Sequence, residues 1–68
     1  MEDIKITNED IDGKIIKEIP WHSEGSLMVI YRQNRAIIPH GNTPLYIGDI
    51  ITVIGMDSAL DDFRKKFQ

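Results

Sequence analysis

Apolar residues recur along this chain at two different periods, and the changes between them divide it into elements. In Asp3-Ile4-Lys5-Ile6-Thr7 polar and apolar positions alternate, which predicts a short strand with Ile4 and Ile6 on one face. From Ile11 to Ile19 the apolar positions Ile11, Ile15, Ile16 and Ile19 follow helical spacing, with Lys14, Lys17 and Glu18 left for water. Pro20 ends that predicted helix, because the residue before a proline is pushed out of the helical region. Leu27-Met28-Val29-Ile30-Tyr31 is a continuous apolar run, the pattern of a central strand covered on both faces. Gln33-Asn34 predicts a tight turn, and Ala36-Ile37-Ile38-Pro39 a returning strand that stops or lies at an edge, since proline has no N–H to give a ladder.

The second half continues in the same way. His40 to Pro44 has the residues of a structured loop, Gly48-Asp49 marks another turn, and the β-branched run Ile50-Ile51-Thr52-Val53-Ile54 predicts a last strand. Asp57-Ser58 opens a final helix. Ser58 with Asp61 matches the short capping pattern, Asp61 and Asp62 lie near the positive end, Arg64-Lys65-Lys66 lie near the negative end, and Leu60, Phe63 and Phe67 line one face. The order is strand, helix, strand, strand, strand, helix. It predicts one α+β domain over residues 1–68, with two helices on one face of a small, mostly antiparallel sheet.

Composition adds constraints on partners. A chain of 68 residues buries a marginal core, and with no cysteine and only His22 and His40 as histidines it has neither a disulfide nor a ready metal cluster to reinforce it. Association of two copies is the remaining aid. The lack of cysteine agrees with a reducing, cytoplasmic setting. No stretch approaches the roughly 20 apolar residues that a membrane span requires. The net charge of −3 argues against nucleic acid as a partner. Its distribution is uneven: Gly25 to Gly48 contains no acid, only Arg32, Arg35 and His40, so the middle of the chain is locally positive.

Catalysis finds no footing in these residues. There is no nucleophilic cysteine, no G-x-S-x-G, no H-E-x-x-H and no glycine-rich phosphate loop, and no acid is placed to orient His22 or His40 beside a serine. Tyr31-Arg32 and Arg35 to Gly41 are more suggestive. Guanidinium groups bind phosphate oxygens in pairs, and Ile and Pro offer flat surfaces for a purine ring. Against this, Ile37 and Ile38 in a strand are ordinarily sheet core, Arg32 and Arg35 ordinarily solvated hairpin charges, and His40 ordinarily a loop residue capping a backbone group. Trp21, beside a proline, reads as an interface anchor or core lid in preference to a ligand platform.

Gly13-Lys14-Ile15-Ile16-Lys17-Glu18-Ile19, Leu27 to Arg32, Ile37-Ile38-Pro39-His40-Gly41-Asn42-Thr43, and Leu45 to Gly55 resemble, in their order and spacing, the successive signatures of the TrkA-C domain, the C-terminal part of RCK regulatory units. The resemblance runs from about Ile4 to Phe67. It implies a piece of a larger protein: a cytoplasmic, non-catalytic regulatory module of a potassium channel, uptake system, antiporter or related ion-transport protein. It further implies a homodimer and, as in several family members, cyclic di-AMP bound in a symmetric cleft between two protomers. Carried over by position, the ligand-binding candidates are Arg32, Asn34, Arg35, Ile37, Ile38, Pro39 and His40, with no catalytic residue, no metal and no cofactor beyond that effector. The rival expectation is a purely structural dimerisation module without a ligand.

Overall fold

A computed structural model describes all residues 1–68. Four strands and one helix follow in the order β1 (Glu2–Lys5), β2 (Gly25–Arg32), β3 (Arg35–Ile37), β4 (Ile50–Gly55) and α1 (Asp57–Phe67). The strands form one wholly antiparallel sheet in the spatial order β1-β4-β2-β3. The predicted α+β class holds, with one helix on the sheet where two were expected.

The missing helix is the segment from Ile11 to Ile19, which forms two separate 3₁₀ turns, Glu9–Ile11 and Ile16–Glu18. Gly13 at φ +84° breaks the segment, and the backbone groups around it bond elsewhere. Gly13 N–H donates to Leu45 O, Leu45 N–H to Lys14 O, Ile16 N–H to Thr43 O and Lys17 N–H to Gly41 O. Residues 13–17 therefore lie against residues 41–45 as a narrow strip, extended at the antiparallel Ile15–Pro44 bridge, and tertiary pairing overrides the helical spacing. Ile11 and Ile19 still reach the core, with Ile15 and Ile16 half-buried.

Cross-strand partners share a face of the sheet, so the register assigns each side chain. Ile4 faces Ile51, Ile51 faces Ile30, and Ile30 faces Ile37, which places all four on the side covered by α1. Leu27 pairs with Val53 but Val29 with Thr52, leaving Met28 as a bulge. That extra residue lets Leu27 and Ile30 both point inward, a spacing that strict alternation forbids. The predicted strand at Leu27 to Tyr31 is thus an inner strand, but only one of its faces is covered. Met28 and Tyr31 remain 49% and 43% exposed, and with Ile50 and Ile54 they make an apolar outer face that no layer of this chain covers. The other predicted strands are present with shifted bounds; the pairing after the hairpin ends at Ile37, short of Pro39.

The helix lies where the sequence placed it, and Ala59, Phe63 and Phe67 are fully buried against the sheet. Its capping differs from expectation. Met56, with extended backbone and no side-chain bond, precedes the first turn, and Ser58 lies inside it, because Met56 N–H is anchored to Glu24 O. At the other end Thr7 and Asn8 N–H both donate to Phe67 O, so the segment after β1 closes the last turn. Arg64 reaches Glu2 with Nε and Nη2 at 2.6 and 2.5 Å, and this ion pair holds the Glu2 carboxyl below its ordinary range. Gly25 sits where a Cβ would lie 2.6 Å from the Phe63 ring. Gly25→Ala is expected to lower stability by about 1–3 kcal/mol through overpacking, measured by urea unfolding with an unchanged m-value.

Candidate functional site

Beyond Ile37 the chain leaves β2, because Pro39 offers no N–H and residues 41–45 are drawn onto the strip with residues 13–17. His40 N–H donates to Thr43 Oγ1 at 3.0 Å and Thr43 N–H to His40 O, which fixes the turn. The divergence opens a cleft of about 310 Å³ between the first half of β2 and this turn, lined by Ile16, Trp21, Gly25, Ser26, Leu27, Pro39, His40 and Gly41.

Trp21 is the back wall of the cleft. Its ring packs on Phe63 and Phe67 at centroid distances of 5.7 and 5.3 Å, and Nε1 donates to Ile16 O at 2.9 Å. The indole is a core lid, one of the two roles expected of it, and its remaining surface faces the cleft. Ile16, Leu27 and Pro39 complete an apolar lining, while His40 is an exposed polar group on its lip. Lys17 lies beside Gly41 at the edge of the cleft, its Cβ 3.6 Å from where a Gly41 Cβ would be. No carboxylate lines the cleft.

Arg32 is elsewhere and already engaged. Its Nε and Nη2 donate to Asp49 Oδ1 and Oδ2 at 2.9 and 2.7 Å, and Nη2 also donates to Pro44 O. The guanidinium carbon stands 4.7 Å over the Tyr46 ring. The hydrogen bond to Asp49 raises the Arg32 pKa above its ordinary value. Asp49 is 2% exposed and accepts from Tyr46 N–H as well. A second hollow of about 330 Å³ beside this pair is lined by Arg32, Gln33, Tyr46, Ile47, Gly48 and Asp49. Though slightly larger, it holds a charge already neutralised at close range, and the apolar cleft is the better receptor for a flat ligand.

The structure therefore divides the seven sequence-derived candidates. Pro39 and His40 line the cleft. Arg32 is held in its clasp with Asp49, and Asn34, at φ +64° beside Gln33 at +52°, forms the hairpin turn with Arg35 exposed after it. Ile37 packs against the core and Ile38 is largely exposed outside the cleft lining. Ile16, Ser26 and Leu27 are cleft residues that the sequence reading did not select.

The family model for the TrkA-C domain matches residues 1–68. The chain belongs to the TrkA-C family. Among curated relatives, a "Putative transport protein" of Dichelobacter nodosus is 34% identical over 63 residues, covering 90% of this TrkA-C chain and 11% of the relative. The "Putative Na(+)/H(+) antiporter YjbQ" of Bacillus subtilis is 32% identical over 65 residues, covering 96% of the chain and 11% of the relative. The TrkA-C chain thus spans about a tenth of the length of these relatives. Among solved structures, one described as "Structure of RCK domain with cda" superposes with a TM-score of 0.91 at 25% identity, covering 98% of this chain and 96% of that one. TrkA-C domains are regulatory and not enzymatic, in agreement with the missing catalytic constellations. No helix of this chain is long and apolar enough to cross a membrane.

Proposed function

We propose that this TrkA-C domain is the cytoplasmic, homodimeric effector-sensing module of a cation transport protein, and that the cleft between Trp21 and His40 receives a small anionic effector of the cyclic di-AMP type. The observation that carries this reading is the cleft itself: an apolar wall for a purine, the polar side chains of Ser26 and His40 for phosphate, and no opposing carboxylate. The solved relative described with "cda", read as cyclic di-AMP, supports the same ligand. Size supports the dimer. At about 310 Å³ the cleft is at the low end of the roughly 300–1,000 Å³ typical of ligand pockets, room for one half of a cyclic dinucleotide. A second copy facing it supplies the matching half-site.

The mechanism is a population shift. A two-fold ligand on a two-fold axis touches the same residues of both protomers, so its affinity depends on how they are arranged, and it biases the attached transporter by that difference alone. The outer apolar face of the sheet also favours association and gives the ligand-free structural module its own basis. Calorimetric titration with cyclic di-AMP separates the two. Saturable heat at one effector per two chains, weakened about ten-fold or more in His40→Ala, is the expected result, a loss in keeping with a hydrogen bond to a charged group. A stable dimer giving no heat at high micromolar effector would leave only the structural role.

A further inference from the structure

The sheet has a second open edge, β1, on the side away from the cleft. Ile6 N–H donates to Asp49 O and Ile6 O accepts from Gly48 N–H, so the even-numbered backbone groups of this segment point toward β4. By the two-residue period, the N–H and C=O of Asp3 and Lys5 point outward from the edge. Edge strands are usually kept from pairing by shortness and by charge. Here the charges have opposite sign two positions apart, and that pattern is attractive to its own copy.

We propose that β1 pairs antiparallel with β1 of a second copy across a two-fold axis at Ile4, joining two four-stranded sheets into one of eight. With Ile4 on the axis, Asp3 stands opposite Lys5 of the second copy and Lys5 opposite its Asp3. Their outward N–H and C=O groups form the narrow hydrogen-bonded pairs of an antiparallel ladder, and the two cross-strand charge pairs lie together on the outer face. Asp3 is set for this role: Thr52 Oγ1 donates to its Oδ1 at 2.7 Å and fixes the carboxylate, while Oδ2 has no bond within the chain. Lys5 makes no ion pair within the chain. Glu2 does not compete, since it belongs to the opposite face with Arg64. The contact goes beyond the effector reading. It lies at the other edge of the sheet, needs no ligand, and leaves the cleft free, so both surfaces can act at once and carry assembly past a dimer. It is a small interface of the transient class, strengthened in a longer parent by tethering.

Sedimentation of the 68-residue chain without effector, at low ionic strength and over a range of concentrations, tests the pairing. The wild-type chain is expected to self-associate, less so as salt rises. Asp3→Lys and Lys5→Asp each place like charges opposite one another at both pairs and are expected to lower the association constant about ten-fold or more. An equimolar mixture of these two variants puts two lysines opposite two aspartates and is expected to restore association as a heterodimer, which a folding defect in either chain would prevent. Asp3→Asn, which keeps an acceptor for Thr52, is expected to fall between. Monomeric wild-type chain throughout, single variants that associate like wild type, or a mixture without recovery would each overturn the pairing. Lys5→Asp is expected to bind cyclic di-AMP as wild type does. Effector binding at one per two chains, with no self-association in its absence, would sink this inference and leave the proposed function standing, and ligand-free association with charge rescue but no effector binding would do the reverse.

Discussion

Phe63→Ala is expected to leave the isolated domain without a cooperative unfolding transition at 25 °C, seen as a flat urea curve by circular dichroism. Phe63 has no exposed surface, and it touches two layers of the fold at once: its ring meets Trp21 edge-on, interplanar angle 69°, and lies under Gly25 of β2. Removing a buried phenylalanine ring costs about 3–5 kcal/mol in lost transfer energy and cavity formation. A single core in a chain below about 70 residues rarely supplies more than roughly 3–5 kcal/mol in total. The two are of the same size, so the variant has little stability left. The expected remedy is a second copy or a ligand, since whatever binds only the folded state stabilises it by mass action. A variant that unfolds cooperatively within 1 kcal/mol of wild type, on the order of a surface substitution, would contradict the central place given to Phe63.

Arg32→Met is expected to lower stability by about 2–4 kcal/mol, somewhat less than the 3–5 kcal/mol of a fully buried broken pair because the Arg32 side chain is 27% exposed. The loss comes from what remains. Asp49 is almost wholly buried, and without the guanidinium fork its charge keeps only the Tyr46 N–H. Pro44 O loses its donor in the same step, which loosens the 41–45 strip at its bridge to Ile15. Asp49→Asn, which keeps an acceptor for Tyr46 N–H and leaves a partly exposed cation, is expected to cost less. Thermal unfolding of the three proteins gives the order wild type, Asp49→Asn, Arg32→Met. Effector affinity measured on the folded fraction of Arg32→Met is expected to stay close to wild type, because the clasp is remote from the cleft.

The clasp also shows where sequence reasoning misjudged a charge. The acid-free window from Gly25 to Gly48 made Arg32 look free for phosphate, yet the next residue, Asp49, is the one that neutralises it. Opposition across a sheet does not follow distance along a chain. The fold was largely legible because strand periods, the Gln33-Asn34 turn and the Phe63/Phe67 face of α1 are local signals that the tertiary structure kept. The segment from Ile11 to Ile19 was not, since its isoleucines suit a helix and an extended strip equally, and only Gly13 and the β-branched pair Ile15-Ile16 hinted at the latter. The Met28 bulge leaves no mark in an unbroken apolar run. Pro39 and His40 were named from the chemistry of the Arg35-to-Gly41 stretch and again from family likeness, whereas Ile16, Ser26 and Leu27 enter the cleft through pairings invisible to spacing. Trp21, singled out beside its proline, takes the core-lid role that was one of its two expected ones.

The most direct measurement is amide and indole nuclear magnetic resonance on isotopically labelled chain, titrated with cyclic di-AMP. The cleft reading predicts that the Trp21 indole N–H and the amides of Ser26, Leu27, His40 and Gly41 shift together to saturation, with Asn34 and Arg35 at the hairpin tip unmoved. Shifts confined to Arg32, the hairpin and Tyr46, or a spectrum indifferent to the dinucleotide, would contradict it.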